Sequence, residues 1–288
     1  MNQVLCSTGA LIGRPNKRNY RLLETLAGQL DCDGFEFMMY DTWYEEREEI
    51  LSYLGKIGLK IPVVHCDKDV GEAISGGGDE NLEAALRLFR INCHMARKLK
   101  ASKLVLHLWG GTASDQNIKN NIAVYGELAG IAGEHGLELL VENVVCNRED
   151  PMKHWHFLRQ EYPDIRFVFD TKMAAFHRQL GLLYQGEYAW LWREGHVAHY
   201  HVNDYAGGYM DWKRLMTLPL GHGSIDFDQF FRFVKTTGYQ GAFTVEATAF
   251  DSQGKVDIGM LNGCFGAIRR YLDTSPSYNF AHPCRKAG

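Results

Sequence analysis

The fold this sequence predicts is a single α/β domain, a (β/α)₈ TIM barrel, and three observations predict it. Short apolar runs alternate with amphipathic segments along the 288-residue chain, the pattern of repeated βα units around a parallel sheet. Such units number eight, and the length suits one barrel of that kind. Four of the runs end on a residue type that ligates metals, as barrel strands do when their C-terminal ends share a mouth.

The first run, Val4–Ser7, precedes a helical segment over Tyr20–Leu30. The second, Gly34–Met38, precedes Trp43–Ile57, where Gly58 supplies the stop. Lys60–Cys66 and Lys103–Leu108 are the third and fourth strands, followed by helices over Glu80–Leu99 and Gln116–His135, the latter stopped by Gly136. Glu138–Glu142 leads to Asp150–Tyr162, which opens with an N-cap aspartate before a proline. Arg166–Asp170 leads to Ala174–Gln179 and a further turn near Tyr188–Arg193. Val197–Val202 is followed by Asp226–Thr237, with acidic residues at its dipole-positive start and Gly238 at its end. Ala242–Glu246 and a helix over Val256–Leu272 complete the barrel domain, residues 1–274. Residues 275–288, with two prolines and little periodicity, are read as a surface extension or a homo-oligomer contact.

Composition narrows the function classes. No apolar run approaches the ~20 residues of a membrane span, and no basic segment followed by a long apolar one marks a secretory signal. The expectation is a cytoplasmic protein without a membrane partner. The seven cysteines are scattered without a Cys-x-x-Cys pair, which fits reduced thiols. A net charge of −4 with no basic block disfavours a nucleic-acid partner.

The chemistry concentrates at strand ends. Glu142, Asp170, His201 and Glu246 close four successive runs, 28, 31 and 45 residues apart. Parallel neighbouring strands would bring these three carboxylates and one imidazole to one point, a divalent-metal site. The set suits manganese first, with magnesium, cobalt or zinc as alternatives. Singly, each glutamate reads as a solvated loop residue and Asp170 as a helix cap; the set of four favours ligands. His65 and His107 close the third and fourth runs and would face the same mouth, as substrate contacts or as hydrogen-bonded structure. Trp109 and Trp43 are candidates for an aromatic wall, with core packing the alternative. Lys172 would hold a substrate oxygen or carboxylate, with a solvated surface lysine the alternative, and Glu36, between Phe35 and Phe37, would face the mouth. The long loop Asp204 to Gly223 would shape the pocket. No stretch reads as a phosphate cradle, although amides of Gly207, Gly208, Gly221 or Gly223 could bind a phosphate without leaving a sequence signature.

The stretches Val141-Glu142-Asn143, Phe169-Asp170-Thr171, His201-Val202-Asn203-Asp204, Leu220-Gly221-His222-Gly223-Ser224-Ile225-Asp226-Phe227 and Val245-Glu246 together resemble the xylose-isomerase-like TIM-barrel superfamily. It includes the sugar phosphate isomerase/epimerase family, inosose dehydratases and metal-dependent apurinic endonucleases. Asp33-Gly34-Phe35-Glu36, His65 and His107 extend the resemblance more loosely to the N-terminal half. The resemblance implies that Glu142, Asp170, His201 and Glu246 hold the metal and that Glu142 and Glu246 are the acid and base. The expected activity is isomerisation or epimerisation of a small carbohydrate by proton abstraction next to a carbonyl, through an ene-diolate. A lyase acting on a keto-sugar or keto-inositol is the alternative. A non-catalytic sugar-binding barrel is a third reading, without a use for two opposed glutamates. Met173 stands where the three-metal endonucleases carry a histidine, and Leu215, Met216 and Thr217 stand where their Asp-x-His pair belongs, which argues against a nuclease. Ketose epimerases commonly carry histidine and arginine at the positions of Met173 and Gly207, so a substrate other than a free ketohexose is expected. His222 replaces an acidic residue common in its loop.

Overall fold

A computed structural model describes residues 2–273. Eight parallel strands close into a barrel in chain order: β1 Gln3–Ser7, β2 Gly34–Met38, β3 Val63–His65, β4 Lys103–Leu106, β5 Glu138–Glu142, β6 Arg166–Asp170, β7 Val197–His201 and β8 Ala242–Val245. Pairing of Val4 with Phe243 and Leu5 with Thr244 joins the last strand to the first. The helices are α1 Leu23–Ala27, α2 Arg47–Ile57, α3 Asp69–Gly76, α4 Asp79–Lys98, α5 Ile118–Glu134, α6 Pro151–Glu161, α7 Thr171–Phe176, α8 Trp190–Arg193, α9 Phe227–Thr236 and α10 Ile258–Asp273. The expected extension over 275–288 lies outside the described residues. No helix among the described residues is long and apolar enough to cross a membrane.

Side chains alternate along a strand, so every second residue faces the barrel axis. Leu5, Val63, Val105, Leu140, Val168 and Ala242 form a closed apolar plug inside the barrel. Two residues further along, the inward positions are polar: Val63 is followed by His65, Val105 by His107, Leu140 by Glu142 and Val168 by Asp170. The plug thus forms a floor, and the polar layer above it opens at the C-terminal face. A larger apolar cluster fills the space between the sheet and the helices, with Phe167 stacked on Trp155 at 4.2 Å between ring centres.

The predicted caps form. Asp150 accepts from the Lys153 amide at 2.9 Å and Asp226 from the Gln229 amide at 2.9 Å. Gly58, Gly136 and Gly238 end their helices at φ of 65°, 71° and 72°, the left-handed turn that favours glycine. Helix α3 was not expected, because Gly71, Gly76, Gly77 and Gly78 depress helix propensity there. Gly71 has a packing reason: a Cβ on it would lie 2.0 Å from the His107 carbonyl oxygen, so only glycine lets α3 approach the end of β4. The described cysteines are unpaired thiols.

Candidate metal and active site

The polar layer converges above the plug. Glu142, Asp170, His201 and Glu246 each offer a ligand atom, all within 4.8 Å of one another. Glu142, Asp170 and His201 are the last residues of β5, β6 and β7, and Glu246 follows β8 directly. Two asparagines just past the strand ends hold the cluster in register. Asn143 exchanges hydrogen bonds with the Asp170 backbone at 2.6 and 3.0 Å. Asn203 accepts from the Glu246 amide at 2.9 Å and donates to the Asp170 and Glu246 carboxylates, each at 3.2 Å. Asp170 also caps α7 by accepting from the Met173 amide at 2.7 Å, so the cap geometry and the convergence coexist.

The orientation of His201 decides whether the cluster suits a cation. Its Nε2 lies 3.0 Å from Glu36 Oε1, an acceptor-only oxygen, so Nε2 carries a proton and donates. Nδ1 faces the Glu142 oxygen at 3.1 Å and the Glu246 oxygen at 3.6 Å. With a neutral ring, that nitrogen presents a lone pair toward the carboxylates, as an imidazole ligand requires. The donor set fits a divalent ion.

The electrostatics are those of a charged cluster out of water. Burial pushes the Asp170 carboxyl up to about 6; Lys172 opposes this, while Glu142 and Glu246 add to it. Burial works against the Glu142 charge as well, yet His201 and His107 hold that carboxyl well below the usual range. Burial lowers His107 to about 4 despite Glu142.

His65 and His107 both meet Glu142 Oε2, at 3.3 and 2.6 Å, and both line the mouth. The cavity over the cluster has a volume of about 500 Å³, and Lys172, Met173, Thr217 and Thr248 stand beside Glu142 and Glu246 in its wall. Lys172 Nζ donates to Thr217 Oγ1 at 3.1 Å.

Three residues expected at the mouth lie away from the cavity. Trp109 is fully buried, donates from Nε1 to the Val144 carbonyl at 3.0 Å and packs against His154; it lines no part of the cavity. Trp43 is likewise core, stacked on Phe37. Strand β4 stops at Leu106, so the alternation that aims His107 inward no longer governs Trp109. Glu36 faces the axis but sits beneath His201, where it accepts from His199 Nε2 at 2.9 Å and Thr244 Oγ1 at 2.7 Å rather than meeting substrate. The Gly221 and Gly223 amides donate to Asp204, at 3.0 and 2.8 Å, and so are spent on the loop's own fold. His222 is exposed and lines no part of the cavity. Asn203, Asp67, Lys68 and Arg14 of the site were not singled out; Asn203, inside the His201-Val202-Asn203-Asp204 stretch, carried the one usable signal.

The family profile described as xylose isomerase-like TIM barrel matches residues 25–260, and the chain belongs to that family. Among solved structures it is similar to a D-tagatose 3-epimerase-like protein, at 19% identity over 94% of this chain and 97% of that one, TM-score 0.66. It is also similar to a D-allulose 3-epimerase from Methylomonas sp. in complex with D-allulose (18% identity, 94% and 96% covered, TM-score 0.63). A third is a 3-keto-D-glucoside 4-epimerase from E. coli (13% identity, 94% and 100% covered, TM-score 0.66). At these identities the likeness is one of fold. No curated protein sequence matches the chain.

Proposed function

We propose that this protein is a divalent-metal-dependent carbohydrate isomerase or epimerase. The observation that carries the reading is the convergence of Glu142, Asp170, His201 and Glu246 at the mouth of a barrel whose structural relatives include sugar epimerases. Those four residues would hold the ion, with manganese the first to test and magnesium, cobalt and zinc beside it. When bound, the ion would polarise a substrate hydroxyl and carbonyl and stabilise the negative charge of the ene-diolate.

The chain supplies the proton chemistry. Glu142 and Glu246 carry carboxylates at the ends of different strands around the same point, so one removes the proton next to the carbonyl and the other returns one. The His107 ring, kept neutral by burial, donates to Glu142 and fixes its orientation. His65 and Lys172 hold substrate oxygens, and the enclosing wall limits water. The names of the structural relatives favour epimerisation over the lyase alternative.

The test has two parts. Manganese titration of the purified protein should find one ion per chain, weakened in Glu246→Gln and His201→Ala. NMR in deuterated water, with ketoses and keto-inositols, should show exchange of the α-proton with the skeleton intact, slowed about 10²–10⁴-fold in Glu246→Gln. Loss of water would make the protein a lyase; absence of metal binding would end the metal mechanism; two or three ions would revive the nuclease.

A further inference from the structure

Taking the mouth as the catalytic centre proposed above, we propose that its substrate is a sugar acid and that Lys172 selects it by holding the substrate's carboxylate. Lys172 is 8% exposed, and its side chain opens onto the cavity beside Glu142, Glu246, Thr217 and Thr248. An ammonium carries three N–H donors, and one of them is used, on Thr217 Oγ1 at 3.1 Å. Among the described residues no carboxylate oxygen lies within 4.0 Å of Nζ. A buried ammonium with N–H donors left unspent is costly unless a ligand supplies the acceptors. The nearest carboxylates, those of Asp170, Glu246 and Glu142, are the candidate metal ligands; they favour the charged ammonium, and a divalent ion would take up two of their three charges. A neutral ketose brings hydroxyls to the two free donors; a sugar acid brings a carboxylate, a planar group that two N–H donors can share in charge-assisted bonds.

The surroundings favour carboxylate over phosphate. A phosphate is commonly met by several backbone amides or cations, and the Gly221 and Gly223 amides are taken by Asp204. Beside Lys172 the wall offers threonine and methionine in addition to the candidate ligands Glu142 and Glu246. Arg14 and Lys68 are exposed cations in the same cavity wall, a different place from the buried ammonium.

The experiment uses the Mn²⁺-loaded full chain and three probes on one skeleton: D-tagatose, D-tagaturonate and D-tagatose 6-phosphate, titrated calorimetrically. D-Tagaturonate should bind about ten- to a hundredfold more tightly than D-tagatose, the worth of one charge-assisted hydrogen-bonded pair. That preference should fall to near unity in Lys172→Met with Mn²⁺ still bound, and persist in Arg14→Ala. Equal binding of acid and neutral sugar by the wild type overturns the assignment without any variant. So does a preference that survives Lys172→Met, or tighter binding of the 6-phosphate that Arg14→Ala abolishes. Proton exchange separates this assignment from the reading beneath it. Exchange on D-tagatose as fast as on D-tagaturonate counts against the acid alone; no exchange on any sugar, with Lys172-dependent binding of the acid intact, counts against the isomerase alone.

Discussion

Glu36 never reaches the cavity, yet its loss should weaken the metal site. One oxygen accepts from His201 Nε2 at 3.0 Å; the other accepts from His199 Nε2 at 2.9 Å and Thr244 Oγ1 at 2.7 Å. Burial opposes its charge, but His201 and His199 hold the carboxyl well below the usual range, so it is ionised. An ionised acceptor on Nε2 keeps the proton there and leaves Nδ1 as the atom a metal ion can take once it displaces the Nδ1 proton, and raises its basicity. In Glu36→Gln the amide oxygen can still accept from His201. The amide nitrogen then faces His199, whose Nδ1 has no partner among the described residues and whose tautomer can therefore switch. The fold should survive while the negative charge is lost. Partners of this kind are worth about 10–100-fold in metal affinity, or roughly 1.4–2.8 kcal/mol. Titration calorimetry with Mn²⁺ reads the loss directly, and Glu36→Ala, which also frees the ring, should lose at least as much. Unchanged affinity in both variants would refute the claim that Glu36 sets the His201 ligand atom.

Two further outcomes follow from the packing around the mouth. Gly71→Ala places a methyl 2.0 Å from the His107 carbonyl oxygen and must push α3 off the end of β4; chemical denaturation should show a loss on the order of 1–3 kcal/mol, and none would mean that α3 sits differently. Burial, with help from Asp69, pushes the Asp67 carboxyl up to about 6, against roughly 3.9 in an unfolded chain. Below about pH 4 the group is protonated in both states and costs nothing; the cost grows through the window up to pH 6 and is complete above it. Asp67→Asn should therefore stabilise the protein at pH 7–8 by on the order of 1–2 kcal/mol and leave it unchanged near pH 4. Equal gains at both pH values would show that the raised pKa is not the cause.

Strand periodicity made the barrel and its ligand cluster readable, and where periodicity stops the reading goes wrong. Glu142, Asp170 and His201 are strand residues, so two-residue alternation aims them at the axis. Trp109 lies three residues beyond β4, and there the local turn sends it to the core. Glu36 was read as facing the mouth, but a strand pattern does not reveal depth along the axis, and the stagger of the barrel puts it below His201. Helix α3 was missed for a related reason: its glycines lower local propensity, and their use in a close approach to β4 is a long-range fact. Lys172 was read from its place two residues after Asp170 as a contact for a substrate oxygen or carboxylate; its burial and its single hydrogen bond to Thr217 needed the structure.

The same burial makes a last expectation about the metal. Around His201 stand the carboxylates of Glu142, Asp170 and Glu246, an arrangement in which full ionisation is opposed by desolvation and mutual repulsion. Asp170 shows the strain, its carboxyl displaced upward to about 6, and the carboxylates around His201 hold that imidazole protonated well above its ordinary range in spite of burial. A divalent ion takes these groups only in their deprotonated forms, so binding must release protons. Manganese affinity should rise from pH 5.5 to pH 7.5, by about tenfold per unit for each proton displaced. Calorimetry at each pH in two buffers of different ionisation enthalpy would count those protons. An affinity flat across that range, with no proton release, would mean that the ion binds elsewhere and that the buried carboxylates at the mouth are stabilised by something other than a metal.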